Sequence, residues 1–92
     1  MVHKPKGFLR QVTMEKKLRL IWDFYGPDAL PTAKHHEIHL KQFIERDQLA
    51  NNITGYEEVE ETYAVAWLVV NESEMIAVRD ALRPHRGEWY ND

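Results

Sequence analysis

Apolar and polar residues alternate most clearly over residues 17–25, KLRLIWDFY, and this alternation predicts a β-strand. The even-numbered positions from Leu18 to Phe24 are all apolar, whereas the odd-numbered positions mix charged and apolar side chains. The turn-forming residues of YGPDALPT come directly afterwards, so the strand is expected to end near Tyr25. The strand therefore has one uniformly apolar face and one mixed face.

A helical period replaces this alternation after Pro31. Thr32 is a suitable N-cap, and the helix is predicted to run to about Arg46. On a helical wheel one face of this helix is predicted to be buried, and it consists of Ala33, Glu37, Leu40, Phe43 and Ile44. Ile38 lies opposite that face, so we expect it to be exposed.

Two strands are predicted in the second half of the chain, at residues 54–60 and 63–70, with a tight turn between them. The first is polar and acidic, as is typical of an exposed edge, and the second is nearly all apolar, as is typical of a central strand. Asn71 is expected to cap a second helix that Pro84 ends, and GEWY at 87–90 predicts a short final strand.

The resulting order is β-α-β-β-α-β, which predicts an α+β, ferredoxin-like fold: a four-stranded antiparallel sheet with two helices on one face. Over residues 17–90 this order and patterning resemble the small dimeric α+β barrel domains. These include monooxygenases of antibiotic biosynthesis, muconolactone isomerases and YCII-related proteins. The resemblance rests on element order instead of a signature motif, and it implies a fold more directly than an activity, because this fold hosts enzymes and regulators alike.

The face of the sheet that the two helices leave open is the predicted interaction surface. The first and third strands are apolar on this side too, with Ile21 and Tyr25 on one strand and Tyr63, Val65 and Trp67 on the other. Large exposed apolar surfaces usually mark an interface or a ligand site. We therefore expect a homodimer formed through the open sheet face. The alternative is that the N-terminal arm folds over it.

Length and charge define the domain. Ninety-two residues allow one core, so we expect one domain at residues 14–92, preceded by a flexible or edge-lying arm at residues 1–13. Six of the twelve basic residues lie in the first nineteen positions, and the acidic remainder argues against nucleic acid as a partner.

The absence of cysteine excludes disulfides and thiol catalysis, and no apolar run is long enough to span a membrane. We expect a cytoplasmic, bacterial protein with no cofactor.

The segment AKHHEIHLKQFI, residues 33–44, concentrates three of the five histidines. His35 and His39 are four residues apart and point away from the predicted core, and this spacing suits a transition-metal ion. The sequence is not the HExxH motif, because Leu40 stands where the second histidine is needed. A third ligand would have to come from another subunit or from one of four residues of this chain: His3, Asp23, Glu37 and His85.

Asp23 lies in the middle of an apolar strand, where an unpaired buried carboxylate is costly. One interpretation is that Asp23 has a raised pKa and forms an acid–base pair with His36, which lies at the border of the predicted core. The other is that it pairs with an arginine, the candidates being Arg19, Arg79, Arg83 and Arg86.

Three functions follow from these residues. The leading one is a small homodimeric protein that binds a small, partly apolar ligand, with Tyr25, Tyr63 and Trp67 as ligand-binding residues. The second is an enzyme of the dimeric-barrel type that uses Asp23 and His36 as catalytic residues. The third is a metal-binding protein that uses His35 and His39 as ligands.

Overall fold

The structure, a computed structural model, describes residues 15–91, so the arm predicted at residues 1–13 lies outside the described part. The elements follow in the predicted order β-α-β-β-α-β, and a short 3-10 turn at Glu72–Glu74 precedes the second helix. They are β1 Lys17–Tyr25, α1 Ala29–Asp47, β2 Thr54–Glu60, β3 Tyr63–Asn71, α2 Met75–Leu82 and β4 Arg86–Tyr90.

The four strands form one antiparallel sheet in the order β2-β3-β1-β4, and the predicted α+β, ferredoxin-like architecture is confirmed. The two apolar strands, β1 and β3, are the central pair, with Ile21 opposite Trp67. The acidic strand β2 and the short strand β4 are the edges. Because side chains alternate along each strand, this register gives the sheet a helix-covered face and an open face.

The hydrophobic core lies between the sheet and both helices. The sheet contributes large side chains from β1, such as Leu20 and Trp22, and small ones from β3, such as Ala64 and Ala66. The predicted buried face of α1 is confirmed in full, from Ala33 to Ile44. The helix α2 packs on the same side: its Val78 belongs to the core cluster, and the indole N–H of Trp22 donates to the carbonyl of Leu82 at 3.0 Å.

The predicted start of α1 was wrong by a few residues, whereas the predicted cap at Asn71 is confirmed. Helix α1 begins at Ala29, and the N–H of Thr32 already donates to the carbonyl of Asp28 at 3.1 Å, so Thr32 is not the N-cap. Pro31 fits within the first turn because the N–H groups there have no intrahelical partner. Asn71, the last residue of β3, caps the 3-10 turn that leads into α2, and it forms a capping box in which its N–H donates to the Glu74 carboxylate at 3.0 Å.

Candidate functional site

A cleft of about 320 Å³ lies on the open face of the sheet, and it is the candidate functional site. All four strands contribute to it, because its residues come from alternate positions on the side away from the helices. The cleft is lined by Arg19, Ile21, Glu57, Val59, Tyr63, Val65, Trp67, Arg86 and Glu88. It thus combines an apolar floor with charged side chains from both edges of the sheet.

The floor of the cleft is built from Ile21 and Val65, which are only 5% and 7% exposed, and from the half-buried Trp67. The indole of Trp67 lies directly over Gly55 of β2, where a Cβ atom would fall 2.2 Å from the ring. The guanidinium of Arg19 lies 5.3 Å from the centre of the same ring. The position of Trp67 therefore depends on the missing side chain at Gly55.

A hydrogen-bonded network of Asp23, Tyr63 and Arg86 bounds the cleft. Arg86 donates to both oxygens of Asp23, with Nε 3.1 Å from Oδ2 and Nη2 3.0 Å from Oδ1. The Tyr63 hydroxyl donates to Oδ1 at 2.6 Å. The bonds from Arg86 lower the pKa of Asp23 although burial opposes them, and the bond to Asp23 raises the pKa of Tyr63. The carboxylate is therefore ionised and the phenol protonated at neutral pH.

A second ion pair lies toward the other end of the cleft, between Arg19 of β1 and Glu88 of β4. These two residues face each other in the strand register, and Nε of Arg19 donates to the Glu88 carboxylate at 2.9 Å. Both side chains are more than a third exposed. Glu57, on β2, has no ion-pair partner within residues 15–91. The cleft therefore has paired cations on one side and, on the other, a carboxylate with no ion-pair partner in this part of the chain.

The three predicted ligand-binding residues lie on this open face. Tyr63 and Trp67 line the cleft directly. Tyr25 stacks on Tyr63, with ring centres 4.7 Å apart and planes 7° apart, and it remains 73% exposed. The stacked pair extends the apolar surface beyond the end of the cleft.

The structure does not bring Asp23 and His36 together. Asp23 faces the open side of the sheet, whereas His36 packs on the helix-covered side, with its ring centre 4.9 Å from that of Trp22 and 5.4 Å from that of Phe24. Burial lowers the pKa of His36, so its ring is neutral, and its buried Nε2 has no hydrogen-bond partner among the residues that the structure describes. The expected acid–base pair is therefore wrong in its geometry, as is the expected rise in the pKa of Asp23. The arginine alternative is confirmed with Arg86.

The imidazole nearest to Asp23 is that of His85, just before β4. Its Nδ1 accepts the backbone N–H of Asp23 at 2.7 Å, and the backbone N–H of His85 donates to the carbonyl of Ile21 at 2.9 Å. The imidazole therefore adds one side-chain hydrogen bond to the pairing of β1 with β4. Its Nδ1 is 4.0 Å from the Asp23 carboxylate.

The histidines predicted to point outward do so. His35 and His39 are exposed, and their Nε2 atoms lie 3.0 Å apart. Glu37, one of the suggested third ligands, is instead buried and accepts a hydrogen bond from the Thr54 hydroxyl at 2.7 Å. Within residues 15–91 no group of three or more histidine, aspartate or glutamate side chains is placed to hold a metal ion. His3, another suggested ligand, lies outside the described residues.

Sequence reasoning missed the roles of Gly55, Glu57 and Glu88 in the cleft. Once each strand is oriented in the sheet, alternation places Glu57 and Glu88 on the open face. The correct register between β1 and β4 would then have identified the Arg19–Glu88 pair. Nothing in the local sequence around Gly55 indicates that Trp67, on the neighbouring strand, needs this position to be glycine.

Among the residues that the structure describes, no helix combines the length and the apolar character needed to cross a membrane. Comparisons with protein-family models, with curated proteins and with solved structures gave no match.

Proposed function

We propose that this protein binds a small, partly apolar ligand in the cleft on the open face of the sheet. The observation that carries the proposal is the cleft itself, which has an apolar floor of Ile21, Val65 and Trp67 beneath a polar boundary. Its volume of about 320 Å³ is at the lower end of the range of small-molecule sites, roughly 300–1,000 Å³.

The boundary of the cleft can recognise the polar ends of such a ligand. Arg19 and Arg86 bond their carboxylates through Nε and Nη2, so the Nη1 donors of both residues are without a bond in the described part of the chain. Glu57 supplies an acceptor on the opposite side. These groups favour a ligand with an apolar body and hydrogen-bonding groups at its ends. The acid–base alternative has no comparable support, because its two residues are on opposite faces of the sheet.

In this proposal the protein acts in the cytoplasm as a homodimer, and the second copy covers the open face of the sheet. Tyr25 and Val59 leave apolar surface exposed on this side of the sheet, at 73% and 46%. The polar groups also favour self-association, because the Nη1 donors that Arg19 and Arg86 leave without a bond in the described residues lie toward β4, while Glu57 lies on β2. A two-fold axis parallel to the strands would set β2 of one copy over β4 of the other, so that Glu57 of each copy faces these donors of the other.

Ligand binding is tested by screening a fragment library with amide-shift NMR against the full chain. Compounds with an apolar ring and a polar end are expected to shift amides of Ile21, Val65 and Trp67. Trp67→Ala should weaken the best compound by about tenfold or more, because it removes the largest apolar contact. The matched control is Trp89→Ala, since Trp89 is 57% exposed and does not line the cleft. Shifts confined to the helices, or equal effects of the two variants, would refute the proposal.

The dimer is tested separately by sedimentation equilibrium at micromolar concentration. Val59→Lys is expected to give a monomer, because it places a cation on β2, opposite the arginines that the second copy presents near β4. Ile76→Lys is the control, since Ile76 is 59% exposed on helix α2 and lies away from that face. A wild-type monomer would disprove the dimer without affecting the ligand experiment.

A further inference from the structure

The exposed surface of helix α1 has a pair of imidazoles that the cleft does not use. His35 and His39 are one turn apart, with ring centres 4.6 Å apart and ring planes at 83°. Their Nε2 atoms are 3.0 Å apart, so the two nitrogens lie side by side on the exposed surface of the helix. The neighbouring His36 does not share this region, because its ring packs against Trp22 and Phe24.

Gln42 determines which nitrogen of His39 has the lone pair. Its amide oxygen lies 3.2 Å from Nδ1 of His39, and an amide oxygen can only accept a hydrogen bond. The proton of neutral His39 is therefore on Nδ1, and Nε2 is the acceptor. It follows that His35 donates its Nε2 proton to Nε2 of His39 across the 3.0 Å contact.

This arrangement is close to that of a metal chelate. Two imidazoles bound to one ion at about 2.0–2.1 Å place their nitrogens roughly 2.9 Å apart at a right angle and about 3.3 Å apart at a tetrahedral angle. The observed 3.0 Å lies between these values. Metal-bound histidines almost always donate their other ring N–H to an acceptor that fixes the tautomer. For His39 this acceptor is already present, because its Nδ1–H donates to the amide oxygen of Gln42.

We propose that His35 and His39 bind one late first-row divalent ion, of the zinc, copper and nickel group, through their Nε2 atoms. On binding, the ion replaces the proton between the two rings, and His35 takes up the tautomer with its proton on Nδ1. Two imidazoles without a carboxylate favour these ions over magnesium and calcium, which prefer oxygen ligands. Water fills the remaining positions, because the described residues offer no third histidine, aspartate or glutamate ligand. Gln42 is a positioning residue in this site.

The first experiment is calorimetric titration of the full chain with zinc chloride in a weakly coordinating buffer. Every protein in the series carries His3→Ala, so that this histidine, which lies outside the described residues, cannot contribute. We expect one zinc ion per chain, and a loss of affinity of about tenfold or more in either His35→Ala or His39→Ala. His85→Ala is the matched control, because it removes an exposed histidine that is hydrogen-bonded to β1.

A second measurement tests binding without relying on affinity. In ¹⁵N NMR spectra of the histidine rings, zinc should shift Nε2 of both His35 and His39 and leave the nitrogens of His36 unchanged. Equal zinc affinity in the two alanine variants and in the control would overturn the proposal. So would unmoved Nε2 signals, or a Kd weaker than about 1 mM, which describes adventitious binding only.

Gln42→Ala tests the positioning role. Without the acceptor, His39 is expected to lose its preference for the Nδ1–H tautomer in the ¹⁵N spectrum of the metal-free protein. Zinc affinity should fall by up to about tenfold. Lys41→Ala is the control on the same helix, since Lys41 points to Glu37. An unchanged tautomer ratio in Gln42→Ala would refute the role given to Gln42, and unchanged circular dichroism would show that the helix is intact.

Discussion

The two faces of the sheet are built from the same strands but are covered in different ways. On the helix side, Leu68 and Val70 have no exposed surface, because α1 and α2 pack over them. On the open side, Val65 is also nearly buried, but its neighbours are the long side chains around the cleft. The helix side is covered by packed secondary structure, whereas the cleft on the open side is lined by single side chains, including Trp67, Arg19 and Arg86.

This difference shows why an apolar strand does not by itself identify the core. Both faces of β3 have apolar residues, and only the cover distinguishes them. Arg19 covers Trp67 with its guanidinium, whose carbon lies 5.3 Å from the ring centre, and such a stacked cation can stay in contact with water. A ligand or a second subunit can displace such a side chain from the apolar surface. The helices cannot be displaced in this way, because their own apolar side chains form part of the core.

The largest effect is expected from the same substitution made on the two faces of β3. Val70→Ala should lower the free energy of unfolding by about 2–3 kcal/mol, because it leaves a cavity beneath the helices. Val65→Ala should cost only about 1 kcal/mol, since side chains around the cleft can move into the space. Urea denaturation of both variants measures the difference. Equal losses would show that the open face is as tightly packed as the core.

Gly55→Ala should have a smaller effect, and one that is specific to the open face. The new Cβ would lie 2.2 Å from the Trp67 ring, so the ring must leave β2, at a cost of about 1–3 kcal/mol. The double variant with Trp67→Ala should recover most of that loss in a double-mutant cycle. Gly87→Ala is the control, since its Cβ would come no nearer than 3.2 Å, to a flexible Leu20 methyl group. Additive effects of Gly55→Ala and Trp67→Ala would contradict the steric explanation.

The smallest effect is expected from the charges around the cleft. Because Arg86 lowers the pKa of Asp23 in the folded state, this carboxylate stabilises the protein above its unfolded pKa of about 3.9, and the contribution is lost as the pH falls through the folded pKa. Asp23→Asn should therefore lower the free energy of unfolding by about 1 kcal/mol at neutral pH, a small loss because Arg86 is half exposed. Below about pH 4 the variant should lose less stability with falling pH than the wild type does.

The control for Asp23 is Glu88→Gln, which removes the exposed ion pair with Arg19 and should change the stability by less than about 0.5 kcal/mol. Unfolding experiments at several pH values between about 2 and 7 compare the two variants. A decline at acid pH that is unchanged in Asp23→Asn would mean that the network of Asp23, Tyr63 and Arg86 does not stabilise the folded state.

The sequence predicted the elements because their patterns are local. The period of two from Lys17 to Tyr25 and the helical period from Ala33 to Ile44 are each determined within one segment. The start of α1 was missed because Pro31 is compatible with a first turn as well as with the position before a cap. Local preference alone does not choose between these two possibilities.

The site was predicted less completely, because it depends on partners far apart in the sequence. Alternation placed Tyr63 and Trp67 on the open face, and both line the cleft. The partner of Asp23 was one of four arginines, and the choice of Arg86 depends on where β4 pairs with β1. The pairing of Asp23 with His36 failed because strand alternation directs the Asp23 side chain away from the helix that carries His36.

The contact between Gly55 and Trp67 also restricts the order in which this protein can change during evolution. A lineage that first replaces Gly55 must pass through a form in which the indole has no place on β2. A lineage that first replaces Trp67 with a smaller residue opens position 55 to many side chains at little further cost. Among natural variants of this chain, a larger residue at position 55 should therefore occur together with a smaller one at position 67, and comparison of their sequences would reveal the pair as covarying.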